Sequence, residues 1–129
     1  MATYNCFFDA SYTPIRKRGA FHIENGNDII KQSVVKLSAN TPDMAEAEAL
    51  HKLLDHIKVN IKPGSRVQIY GDALFIIQSI LRGDKCSKRY KNVKDKYELL
   101  CKYYDLSIDF IPGKKNKNAH KLAKYGMTA

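Results

Sequence analysis

The sequence predicts one α/β domain, a three-layer α/β/α sandwich around a five-stranded mixed sheet whose first three strands run antiparallel. Three observations carry this. A chain of 129 residues has room for a single core. Asn25-Gly26-Asn27 is a hairpin turn between two β-rich runs, so the fold opens antiparallel. After residue 41 helical and strand patterns alternate, which places helices on both faces of a sheet that has become parallel. With 44% hydrophobic and 27% charged residues, seven Gly and four Pro, the composition is that of a globular protein rather than a disordered one.

The elements follow in order. Residues 4–10 (YNCFFDA) are aromatic-rich and read as a buried strand ending near Asp9. Residues 18–25 and 28–37 are the two hairpin strands. Thr41-Pro42-Asp43 starts a helix, with Pro just inside the cap, that runs to residue 57. Pro63-Gly64-Ser65 turns the chain into a strand at 66–71 (RVQIYG), followed by a helix over 73–81 that Gly83 stops. Val93, Tyr97, Leu100, Cys101 and Tyr104 share helical spacing and predict a helix over 90–104. Residues 106–111 alternate as a strand, Pro112-Gly113 ends it, and residues 116–125 form a closing helix with Ala119, Leu122 and Ala123 on one face. No repeat and no interdomain linker appears, so residues 1–129 are expected to form one domain.

Charge and cysteine usage narrow the function. The net charge is +9, and it is uneven: residues 1–82 carry ten bases against eight acids, residues 83–129 twelve against five. A basic second half draws polyanions, so nucleic acid is the leading partner class. Cys6, Cys86 and Cys101 have no CxxC spacing, which leaves no disulfide framework or zinc site and suits a reducing cytoplasm. The longest apolar run, Ala73-Leu74-Phe75-Ile76-Ile77, is far short of the ~20 residues of a membrane span, and the N-terminus lacks a signal-peptide pattern. A monomer with no membrane partner is expected. Walker, GxSxG and dinucleotide-binding glycine motifs are absent, leaving nucleotide-driven, serine-hydrolase and hydride chemistry without support.

The chemistry-bearing residues lie where strands end and helices begin. Asp9 and Asp72 end the first and fourth strands, and their carboxylates converge if those strands are parallel neighbours. On a helical period Glu46 heads the apolar stripe Glu46, Leu50, Leu53, Ile57, whereas Glu48 lies on the polar stripe Glu48, Lys52, Asp55. Glu46 is the acid aimed at the sheet. Asn116 and His120, four apart, share a face of the last helix. Converging carboxylates repel unless a cation sits among them, and hard oxygen ligands suit Mg²⁺ or Mn²⁺.

The segments YNCFFDAS, TPDMAEAEAL, VQIYGDA and IPGKKNKNAHKLA resemble, in order and spacing, the four signature segments of the ribonuclease H family. The resemblance implies a metal-dependent endoribonuclease that hydrolyses the RNA strand of RNA–DNA hybrids. In that family four acids hold two divalent ions, one activating a water and the other stabilising the leaving oxygen. It implies Asp9, Glu46 and Asp72 as three of the ligands, with His120 standing where the fourth acid is usual. Asn116 falls where the family's closing segment has Asn, and with Ser11, Lys88, Arg89, Lys91, Lys114 and Lys115 it is an expected nucleic-acid contact. The family's basic protrusion is absent, but the charge asymmetry favours such contact, and Lys85, Lys94 and Lys96 add charge around residues 88–91. Two departures stand out. Pro42-Asp43 occupies the place of two consecutive Asn residues that contact substrate, and His120 replaces a carboxylate. Imidazole is a competent metal ligand, and the slicer Argonautes, which share the fold, use a His. With a nitrogen donor in the set, Mn²⁺ is expected to be preferred over Mg²⁺. A catalytically silent nucleic-acid-binding module and a nuclease for another nucleic-acid structure remain the alternatives.

Overall fold

The computed structural model describes residues 2–83 and 87–126. Lys85 and Cys86 lie outside the described residues. Strands β1 (Thr3–Thr13), β2 (Arg16–Asn25) and β3 (Asp28–Lys36) form an antiparallel meander. Gly26, at φ 63°, supplies the left-handed residue that the β2–β3 turn needs. Strand β4 (Arg66–Gly71) pairs parallel with β1, and β5 (Asp105–Phe110) pairs parallel with β4, giving the order β3-β2-β1-β4-β5.

Among the described residues, four α-helices cover the sheet: α1 (Pro42–Asn60), α2 (Leu74–Leu81), α3 (Lys91–Leu100) and α4 (Lys117–Tyr125). Alternation along the strands assigns them to faces. Cys6, Phe8, Phe21, Ile23, Val67, Ile69 and Ile108 point to one side, where they form a core with buried residues of α1, α2 and α3. On the other side Ala20 packs against Leu122 and Ala123 of α4. The expected three-layer sandwich and the antiparallel opening are therefore present.

Several boundaries differ from expectation, each for a long-range reason. Strand β1 does not end at Ala10; it continues to Thr13 because β2 pairs with it as far as Thr13↔Arg16. Its parallel pairing with β4 ends earlier, at Phe7↔Tyr70, so Asp9 sits just beyond the last β1–β4 pair. Helix α3 stops at Leu100 rather than reaching Tyr104. The Tyr104 side chain is instead committed to the end of α1, where its buried hydroxyl donates to the carbonyls of Ile61 (2.6 Å) and of Ile57 (3.1 Å), the latter also accepting the Ile61 amide. Cys101, placed on the apolar stripe by spacing, is exposed.

Gly71, the last residue of β4, illustrates how tightly the site is underpinned. A Cβ there would meet the Phe8 ring at 2.4 Å, with no space to give in a buried core. Gly71→Ala is expected to destabilise the protein by about 1–3 kcal/mol, read as a lower denaturation midpoint at unchanged slope. The same ring precedes Asp9, so the displacement would be felt directly beside that carboxylate.

Candidate active site

Asp9 points to the α4 face, opposite Ala20 in the β1–β2 register, and its side chain is 5% exposed. Glu46 comes from the other side of the sheet. Thr41 caps α1, its Oγ1 accepting from the Met44 amide at 3.2 Å, and Pro42 opens the first turn. That start sets the helical phase: Leu50, Leu53 and Ile57 are fully buried, and Glu46 leads their stripe to the sheet edge. Asp72 follows directly on β4. Oxygen atoms of Asp9, Glu46 and Asp72 lie within 4.8 Å of one another.

This crowding has electrostatic consequences. Burial, then the charges of Asp9 and Asp72 and a hydrogen bond shared with Asp9, pushes the Glu46 carboxyl up to about 9, opposed by the Ala10 amide. Asp72 is raised too, by burial and by Asp9, against the opposing pull of its own amide and of His120. Glu46 Oε2 is buried without a hydrogen-bond partner among the described residues. Three converging carboxyls, one held protonated and one of its oxygens unpaired, form a donor set that a divalent cation fits, since the cation would satisfy the orphan oxygen and cancel the repulsion.

His120 reaches the site through Asp9. Its Nδ1 lies 3.0 Å from Asp9 Oδ2 and its side chain is 56% exposed, beside the three-carboxylate group rather than within it. Asn116 explains its placement. The Asn116 side chain is buried, donates from Nδ2 to the Phe8 carbonyl at 2.8 Å, and leaves Oδ1 without a partner among the described residues. Its own carbonyl accepts the His120 amide at 3.0 Å. Asn116 thus fastens the start of α4 to the residue before Asp9, and at 1% exposure it presents no free amide to a ligand in this structure.

The expected nucleic-acid contacts divide by their surroundings. Ser11 Oγ accepts from Arg16 Nη2 at 2.9 Å. Lys91 pairs with Asp95 at 2.6 Å, Lys94 with Glu98 at 2.9 Å, and Lys96 with Asp55, so much of the α3 charge is internally balanced. Arg89 stands 3.8 Å from Asp43. Lys88 is exposed in the 3₁₀ turn Lys88–Tyr90, as are Lys114 and Lys115 in the turn Gly113–Lys115, and the latter two line a cavity of about 460 Å³ with Phe7, Glu24 and Lys117.

Two acids have parts that sequence spacing did not indicate. Asp43, three residues before Glu46 and on the same helix face, lines a cleft with Glu46 and Asp72. Glu48 is not a free member of a polar stripe: its Oε1 accepts from the Ser38 and Ala39 amides at 3.0 Å each, tethering the segment that leads into α1. Glu48→Ala is expected to lower stability by about 1–2 kcal/mol through those unsatisfied amides. Metal-induced stabilisation, read by thermal melting, should persist in that variant. His22 is fully buried and bonded to Glu24 and Gln32.

Solved structures share this architecture. An RNase H1 from the halophilic archaeon Halobacterium salinarum superposes with a TM-score of 0.77, covering 94% of this chain and 96% of that one at 16% identity. The chain has the ribonuclease H fold. An N-terminal RNase H domain from Mycobacterium tuberculosis covers 99% and 98% at a TM-score of 0.72 and 12% identity. LC11-RNase H1, solved in complex with RNA/DNA hybrid, covers 95% and 93% at a TM-score of 0.72 and 17% identity. No family model matches the chain, and no curated protein matches it in sequence. In this ribonuclease H fold the parallel edge of β1 and β4 carries Asp9 and Asp72, with Glu46 reaching over from α1.

Proposed function

We propose that this chain is a ribonuclease H-type phosphodiesterase that uses divalent metal to hydrolyse the RNA strand of RNA–DNA hybrids. The observation that carries the proposal is the convergence of Asp9, Glu46 and Asp72 within 4.8 Å, with Glu46 Oε2 buried and unpaired. The ribonuclease H fold and the hybrid bound to the similar LC11-RNase H1 support the substrate class.

Asp9, Glu46 and Asp72 would hold the divalent metal, with His120, bonded to Asp9, as a further ligand. Mg²⁺ or Mn²⁺ bound there would supply an activated water and a stabilised leaving oxygen. The chain's own residues do the positioning: Asn116 holds α4, and hence His120, against β1, while Thr41 sets the phase of Glu46. Lys88, Arg89, Lys91, Lys114 and Lys115, with Ser11, would meet the substrate strands, and the basic second half would supply the long-range attraction.

One observation favours a second reading, a catalytically silent nucleic-acid-binding module: His120 stands where an acid is usual in the resemblance and bonds directly to Asp9. Incubation with labelled RNA–DNA hybrid, duplex DNA and duplex RNA, each with Mg²⁺, Mn²⁺ or EDTA, decides between them. Cleavage of the RNA strand of the hybrid, abolished by EDTA, is the expected result. Binding without cleavage in either metal would establish the silent module, and cleavage of duplex DNA or duplex RNA alone would overturn the substrate assignment.

A further inference from the structure

Strand β3 leaves one edge of the sheet open. It pairs with β2 alone, and among the described residues no other strand lies against its outer side. A bare edge presents a row of backbone donors and acceptors to any chain that can align with it. This edge also carries apolar surface: Ile29 is 60% exposed, Ile30 51% and Val34 40%. Ile30 has no partner on β2, because the register shifts opposite Ile23 and Glu24. That shift and the charge of Lys31 both oppose indiscriminate strand addition, so a partner must match the pattern of β3 itself.

The strand matches its own sequence. Laid antiparallel about Gln32, DIIKQSVVK sets Asp28 against Lys36 of a second copy, Ile29 against Val35 and Ile30 against Val34, and two-fold symmetry repeats each pair. Lys31 then faces Ser33. Apolar residues meet apolar ones and opposite charges close both ends, which are the cross-strand pairs that stabilise a sheet. Asp28 and Lys36 are exposed, and neither is ion-paired among the described residues. A register that brought Lys31 opposite Lys36 would set like charges together. We propose that β3 is a homodimer interface, through which two copies join edge to edge into one continuous sheet, in place of the monomer expected from the sequence. A pattern that is self-complementary about one residue is what a two-fold axis requires, and it selects a second copy over an unrelated partner. Asp9 lies on β1, separated from this edge by β2, so the candidate active site stays open in both copies.

Sedimentation equilibrium of the full chain in metal-free buffer at low ionic strength tests the interface. Because an edge-only interface is small, the parent should be mostly dimer at about 200 µM and mostly monomer at about 1 µM. Asp28→Lys and Lys36→Asp each put like charges at both ends of the pairing and should each raise the dissociation constant about tenfold. Mixing the two variants in equal amounts, or combining both changes in one chain, restores the opposite-charge pairs and should return the parent's constant. Net charge alone would move the two single variants in opposite directions, and melts of each check folding. Amide hydrogen exchange of the parent, which needs no variant, should slow over residues 30–34 as concentration rises. A parent that stays monomeric at about 200 µM overturns the inference. So does a dimer that ignores both single substitutions, or one that the mixture fails to restore. Oligomers that grow beyond the dimer would assign the edge to a head-to-tail contact with β5 and overturn it as well.

Discussion

Glu46→Gln is expected to melt several degrees above the parent at pH 8 in metal-free buffer and, with divalent metal supplied, to have lost hybrid cleavage by about 10³-fold or more. The stability gain has a definite pH dependence. An unfolded Glu titrates near 4.5, whereas burial and the charges of Asp9 and Asp72 push the folded group up to about 9. Between those values the native state holds a proton that the unfolded state has released, so stability falls as pH rises from about 4.5 to about 9. The raised Asp72 carboxyl acts in the same sense. A glutamine at 46 removes the titration, so its melting curve should be flatter with pH, and the two proteins should converge near pH 5. Mn²⁺ binds the deprotonated site and should reverse the trend in the parent, most strongly at high pH, while shifting the variant far less. Thermal melts from pH 5 to 9, in EDTA and in Mn²⁺, read all of this. Coincident melts of parent and variant at every pH, with no Mn²⁺ shift in either, would show that the three acids do not act as one site.

Metal preference should turn on His120. With a nitrogen donor beside Asp9 in place of a fourth carboxylate, the site has one less negative charge and suits Mg²⁺ poorly, because Mg²⁺ prefers oxygen ligands and Mn²⁺ accepts imidazole. The parent is expected to cleave hybrid at least ~10-fold faster in Mn²⁺ than in Mg²⁺. His120→Asp should restore the Mg²⁺ rate, and His120→Ala should lower both rates by about 10–100-fold. The half-exposed side chain limits the packing cost of these substitutions, and melts of each variant in the assay metal check folding, so that a loss of rate in a folded variant reports on the site itself. Steady-state rates in the two metals make the measurement. Parent-like rates in His120→Ala would remove His120 from the ligand set. Silence of both parent and His120→Asp in either metal would leave the nucleic-acid-binding module, with Pro42-Asp43 as the next feature to replace.

What local pattern encodes, it encodes well. The hairpin at Asn25-Gly26-Asn27, the capped start of α1 at Thr41-Pro42 and the apolar stripe of Leu50, Leu53 and Ile57 are each written within a few residues. From that stripe alone Glu46 rather than Glu48 could be aimed at the sheet. Misjudged features depended on partners far away in the chain. Strand β1 outlasts its apolar run because β2 pairs with it to Thr13, and α3 stops short of Tyr104, whose hydroxyl is committed to carbonyls at the end of α1. Glu48 is tied to amides ten and nine residues earlier, and Arg89 is drawn to Asp43. Periodicity carries no signal for such contacts.

For the candidate site the division is the same. Sequence by itself singled out the acids that follow a β-forming run or lead a buried stripe: Asp9, Glu46 and Asp72. Only the tertiary structure decided that they meet, because the 4.8 Å convergence requires β1 and β4 to lie side by side in parallel while α1 crosses the sheet edge above them. It decided the electrostatics as well. A carboxyl rises to about 9 at position 46 because folding removes water from it and sets two other acids beside it, and both effects vanish in the extended chain.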